Sequence, residues 1–213
     1  MSELEKRMLQ MFYVTVWGEV AEDWNDEKVL ENINKLVKSD YMRKELIELL
    51  EYNYSKIDFI DEEIDLGFDC PIDLHCTYTQ RQLLMGFDYL SFSSVRQGVL
   101  WIESKKTDIF FITLNKSDKD YSPTTMYEDY SINDELFHWQ SQSTTGEDSK
   151  TGKRYRNHVK EGSRVVLFVR EFKNDKYGKT MPYTFLGPAE YVSHTGSKPM
   201  NIIWKLDKRI PAK

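Results

Sequence analysis

The chain has 213 residues, 40% of them hydrophobic and 30% charged, and a formal net charge of -6. No run nears the roughly 18 consecutive apolar residues of a membrane helix, the start MSELEKRMLQ lacks a signal-peptide layout, and the two cysteines, Cys70 and Cys76, are too few for a disulfide framework, so a cytoplasmic protein is expected. The charge is uneven: residues 150–213 hold 15 Lys and Arg against 5 Asp and Glu, while the first 149 hold 14 against 30. A basic segment in an acidic chain either meets a polyanion or faces the acidic part of its own fold.

Residues 1–55 read as helical. Met8, Met11 and Phe12 share one stripe, as do Val29, Ile33, Leu36 and Val37. In the third segment Met42, Leu46, Leu49, Leu50 and Tyr54 recur at helical spacing, which predicts a buried face. This part is expected to be a helical linker or docking region, and residues 56–213 a separate β-rich domain. The second part opens with loops and a short helix, TQRQLLMGF, with Thr79 as its N-cap. The runs GVLWIES, DIFFITLN, LFHWQSQ, SRVVLFVREF, PYTFLGPAEYVSH and MNIIWKL follow, each β-branched or aromatic and bounded by turn formers. Phe185 to Pro188 reads as a strand ending in a turn. With no helical pattern between the later runs, βαβ crossovers are not expected. The fold class is α+β: N-terminal helices, then a mainly antiparallel, curved β-sheet or small barrel. The polar stretch SQSTTGEDSKTGKRYRNHVKEG reads as a long loop.

Several chemistries find no support. Cys70, His75 and Cys76 lack the partner pairs of a structural zinc site, no GxSxG elbow is present, and no glycine-rich phosphate loop follows a strand. No cofactor is expected. Asp88 with Glu103 and Lys105 has the literal form of a metal-dependent nuclease, but ESKKTD also reads as a hairpin turn.

Nucleic-acid recognition gathers more. In the FHWQSQ strand, alternation puts Phe137, Trp139 and Ser141 on one face and His138, Gln140 and Gln142 on the other. Glutamine can read an adenine edge, and Trp139 can stack on a base. In KTGKRYRNH, Arg154, Arg156 and His158 supply phosphate contacts and Tyr155 a stacking group. A second wall carries Tyr183, Tyr191 and His194, with Lys198 in the turn GSKP.

The strings DLGFDCPIDLHCTYT, TLNKSDKDYSPTTMYEDYSI, LFHWQSQSTT, TGKRYRNH, LFVREF and YTFLGPAEYVSHTGSKPMNIIWKL together resemble one family. It is the uncharacterised domain at the C-terminal end of long bacterial restriction-type helicases, which join a phospholipase-D-like nuclease to helicase motors. The helicase motifs are absent from these 213 residues, so the resemblance implies a non-catalytic accessory role. It also implies companion helicase and nuclease domains as partners and a setting in antiviral defence. More loosely, the β-rich half is similar in architecture to curved-sheet readers of modified DNA, such as SET-and-RING-associated domains. That analogy concerns the fold alone. The expected function is therefore DNA binding for a helicase–nuclease, extending to a modified base or backbone. The alternatives are a metal-dependent nuclease and a protein–protein docking module for the motor.

Overall fold

The computed structural model describes residues 1–18, 25–57, 64–92, 95, 98–116 and 129–211. The stretch SDKDYSPTTMYE, part of the family resemblance, lies outside them. Helix α1 (Glu3–Trp17) starts where Ser2 and Glu5 each accept a backbone N–H from the other, at 3.2 and 2.7 Å, and stops at Gly18, whose φ of 77° is left-handed. Helices α2 (Asp26–Val37) and α3 (Asp40–Tyr54) are capped by Asn25 and Ser39. Helix α4 (Gln80–Gly86) begins at Thr79 as expected, with Gln82 closing a reciprocal capping box.

The strands are β1 (Thr77–Tyr78), β2 (Val99–Ile102), β3 (Thr107–Thr113), β4 (Tyr130–Ser131), β5 (Leu136–Gln140), β6 (Arg164–Arg170), β7 (Tyr183–Thr195) and β8 (Asn201–Leu206). They form one sheet in the order β2-β3-β6-β7-β8-β5-β4, with β1 beside the start of β7. A tight turn over Glu103–Lys105 joins β2 to β3. Every pairing is antiparallel except β3 with β6, which run parallel. That corrects the expectation of no crossover. Residues 114–163 make the crossover, and the polar stretch read as a loop contains helix α5 (Lys150–Asn157). Ser149 caps α5 by accepting the Gly152 N–H at 3.0 Å.

Strand β7 bends the sheet. Its pairing slips twice, once opposite Leu167/Phe168 and again between Tyr191 and Ser193, leaving Leu186 and Val192 as extra residues. Gly187 sits in the first slip at φ 92°, and a Cβ there would lie 3.0 Å from the Leu74 side chain. The strand therefore continues through the expected turn as a bulge. The resulting curl is measurable. Phe110 of β3 and Trp139 of β5 stack with centroids 4.1 Å apart although β6, β7 and β8 lie between their strands; in a flat sheet they would be about 19 Å apart. Among the described residues β2 and β4 do not pair with each other, so the sheet is open and curved, not a closed barrel.

The two faces carry two cores. Inside the curl, Phe110, Trp139, Leu167, Ile202 and Trp204 pack around Tyr155 of α5. On the outer face, Ile109, Phe111, Phe168 and Phe185 meet Met11 and Val14 of α1, Leu83 and Met85 of α4, and Phe87, which caps α4. Strand β3 is buried along its whole length because both cores use it. The predicted burial of α3 does not hold: none of its residues is buried, and Met42, Leu49, Leu50 and Tyr54 are exposed. Its main neighbour is α2, itself packed on α1, so α3 lies outermost with nothing described beyond it.

Helix α5 is pinned electrostatically. Asp108, next to Phe110 and 1% exposed, accepts Nε and Nη2 of Arg154, both at 2.7 Å. Burial pushes the Asp108 carboxyl up and the guanidinium opposes it. Asp108→Ala leaves that guanidinium unpaired and is expected to lower stability in urea by about 3–5 kcal/mol. The double variant Asp108→Leu/Arg154→Met should recover most of the loss. A loss below about 1 kcal/mol for the single variant would show that the pair does not hold α5.

Candidate nucleic-acid interface

The alternation read in FHWQSQ is present over β5. Phe137 and Trp139 point into the curl and are buried. Trp139 is thus a core residue, stacked on Phe110 and unable to meet a base. His138 and Gln140 occupy the opposite face. His138 is stacked on Tyr130 with centroids 4.7 Å apart and is 9% exposed. Gln140 donates its Nε2 to Asn201 Oδ1 (3.0 Å), directly across on β8, and its backbone N–H to Asp129 (2.9 Å). Asp129 is itself bound to Lys116 at 2.5 Å, both side chains buried. Gln142 lies past the strand, buried, its Oε1 accepting the Thr145 hydroxyl at 3.0 Å. Much of this polar row is satisfied within the fold.

What the row does organise is the next turn. Ser141 is fully buried and accepts the Met200 N–H (2.9 Å), tying residues 141–149 to the start of β8. Gly146 fits under the β7–β8 hairpin, where a Cβ would meet Ser197 Oγ at 2.8 Å and Lys198 Cγ at 3.1 Å. Gly152 needs to be glycine as well, since its Cβ would lie 2.1 Å from the Gly146 carbonyl oxygen. These contacts bring Glu147 into the centre of a corner between α5 and the hairpin. Its carbonyl accepts Arg156 Nη2 (3.1 Å) and its backbone N–H donates to Ser197 Oγ (3.3 Å). Its Oε2 is 3.3 Å from His194 Nε2, and His194 Nδ1 is 2.6 Å from the Tyr191 hydroxyl. The carboxylate assigns the imidazole proton to Nε2, so Nδ1 accepts from Tyr191. Burial raises the Tyr191 phenol, with Arg156 opposing it. Lys198 is exposed at the hairpin tip and is anchored through its backbone N–H on Thr145 O (3.3 Å).

Of the residues singled out from the sequence, Arg156, Tyr191, His194 and Lys198 thus converge. The others are placed elsewhere. Arg154 is committed to Asp108, Tyr155 is 1% exposed within the inner core, and Tyr183 packs on Phe111 and beneath Arg170 in the outer core. His158 is buried behind β7, where its Nε2 accepts the Tyr191 N–H (3.1 Å) beside the second slip of the strand. Glu147 was missed. Nothing in its local pattern marks it, because its partners are the hairpin 47 residues on and the helix that follows it.

The residues of the nuclease alternative are engaged separately: Asp88 with Arg7 (3.1 Å), Glu103 with the Trp101 indole N–H (2.5 Å), and Lys105 over the Phe68 ring. Among the described residues no group of three or more His, Cys, Asp or Glu is placed to hold a metal ion. Burial pushes the Cys70 thiol up to about 12, the signature of an inert packed cysteine.

Residues 73–213 match the family described as a domain of unknown function, DUF3427. No curated protein matches the chain. A solved structure of Arabidopsis thaliana SUVH6 in complex with SAM is similar at 11% identity and a TM-score of 0.41. The similarity covers 99% of this chain and spans 39% of that one.

Burial holds the His158 imidazole below its ordinary range. The unfolded chain takes up that proton near pH 6.5, and the folded one resists it. The contribution to stability is therefore complete above about pH 6.5 and is lost as the pH falls below it. His158→Gln keeps an acceptor for the Tyr191 N–H, so thermal denaturation between pH 7 and 5 should show a flatter profile for the variant than for the parent. Equal slopes would remove His158 as the source.

Proposed function

This chain belongs to the DUF3427 family, and from the corner built within the matched residues we propose that it is a DNA-binding accessory domain. The observation that carries the reading is the gathering of cationic and polar groups about Glu147 at an exposed corner: His194 meets its carboxylate, Arg156 its backbone carbonyl and Ser197 Oγ its backbone N–H, with exposed Lys198 beside Gly146. Arginine, histidine and lysine side chains gathered at one exposed spot are what a phosphate contact requires, and an incoming phosphate would displace the Glu147 side chain from His194. Lys153 on α5 is exposed and adds positive charge to the same helix as Arg156. His138 and Gln140 lie on the outer face of β5, and among the described residues the Gln140 side-chain oxygen has no partner and is open to a second contact.

That the polymer is DNA, that a modified base or backbone is favoured, and that the domain serves a restriction-type helicase–nuclease in antiviral defence rest on the sequence resemblance. Residues 1–55 are proposed as the part that docks on companion helicase or nuclease domains. The exposed row of Met42, Leu49, Leu50 and Tyr54 on α3 favours this over a purely internal role.

Fluorescence anisotropy with labelled duplexes, unmodified, methylated or phosphorothioated, tests the reading across a salt series. Arg156→Ala and Lys198→Ala are each expected to weaken binding about tenfold, about 1.4 kcal/mol, and to lower the salt slope by about one. Glu147→Gln should tighten it by removing the competing carboxylate. No binding at low salt, or binding indifferent to Arg156 and Lys198, would sink the assignment.

A further inference from the structure

A second cleft opens on the other flank of α5, with a volume of about 320 Å³. One wall is flat and rigid. Arg154, held by two bonds from Asp108, lies with its guanidinium carbon 4.2 Å from the centroid of the Trp101 ring. Trp101 is fixed in turn by its indole N–H on Glu103 Oε2. Two carboxylates therefore hold a planar cation against a planar aromatic ring, so these groups have less freedom to lose when a ligand arrives. A preorganised surface of this kind suits a planar π system.

The charges around the wall specify the remainder of the ligand. Asp108 is neutralised by Arg154, while Glu103 keeps its charge and accepts the Trp101 indole N–H at the edge of the wall. Lys106 and Lys150 both line the cleft and are exposed, and neither makes an ion pair with a described residue. Lys106 is held at the start of β3 with a left-handed φ of 47°, and Lys150 is the first residue of α5. Two ammonium groups beside a flat wall call for an anion attached to a ring. Glu161 at the rim adds an acceptor suited to an exocyclic amine, as on cytosine or adenine.

We propose that this cleft binds a single nucleotide, its base against the Arg154–Trp101 wall and its phosphate between Lys106 and Lys150. It is distinct from the corner at Glu147, since Arg154 and Arg156 leave α5 toward different partners. The nucleotide comes either free or as an unpaired residue of a DNA strand held at that corner, and only the second source rests on the DNA reading.

Calorimetric titration with the four deoxynucleoside 5′-monophosphates, deoxycytidine and inorganic phosphate tests the site on the full chain. Nucleotides are expected to bind, with deoxycytidine and phosphate at least about tenfold weaker. Lys106→Ala/Lys150→Ala and, separately, Trp101→Leu should each weaken nucleotide binding about tenfold while thermal denaturation reports both variants folded. Inorganic phosphate binding as tightly as the nucleotides, or nucleotide binding unchanged in both variants, overturns the proposal. Arg156→Ala distinguishes the two sites: it should weaken duplex DNA and leave nucleotide affinity intact, and loss of both would mean one site and refute the second. Nucleotide binding without any DNA binding removes the accessory-domain reading and leaves the cleft standing with a free nucleotide as its ligand. Tighter binding of a duplex with an unpaired overhang than of a blunt one, lost in Lys106→Ala/Lys150→Ala, identifies the strand as the source.

Discussion

The position of α5 is set first by the two-pronged pair between Asp108 and Arg154. Asp108 sits in a row otherwise filled by Phe110 and Ile112, so its charge is acceptable there only because a guanidinium meets it with matching geometry. With Arg154 fixed, the next residue, Tyr155, drops into the curl between Phe110, Trp139 and Trp204. Arg156 is then directed to the hairpin side. A helix of two turns is too short to persist by its own hydrogen bonds. Its placement comes from this pair, the Tyr155 plug and the close backbone approach at Gly152.

The bent strand β7 supplies the other half of the arrangement. Each register slip costs ladder hydrogen bonds, and the fold replaces what it can. Beside the second slip the Tyr191 N–H finds its acceptor in His158 from the segment following α5, so strand and helix are cross-linked where the ladder is weakest. The same slip sets Tyr191 and His194 close enough for their side chains to bond three residues apart along one strand. Curvature, core and corner are therefore linked: a straight β7 would separate Phe110 from Trp139 and the hairpin from α5.

The outer face has a different logic. Helices α1 and α4 cover the sheet with large apolar residues, and α2 buries only Val29. By α3 nothing is buried. Burial declines outward through the helices while apolar spacing in the sequence does not, so the last helix presents an apolar row to solvent. Periodicity reports that a face exists. Whether it is covered depends on what else packs nearby.

Local chemistry made much of this legible in advance. The Thr79 cap, the β-rich runs, and the opposed faces of Phe137/Trp139 and His138/Gln140 follow from short-range sterics and hydrogen bonding, which the sequence by itself determines. Helix α5 was hidden because its segment is polar and contains a glycine, and its stability is tertiary. The parallel pairing of β3 with β6 was hidden because the strands are far apart in the chain and each reads alike in either direction. Arg154 and Arg156 are indistinguishable as letters, yet one neutralises a buried aspartate and the other reaches Glu147. The tertiary structure alone decided which cations remain available, because partners brought together by folding, and not neighbours in sequence, determine where a charge is neutralised.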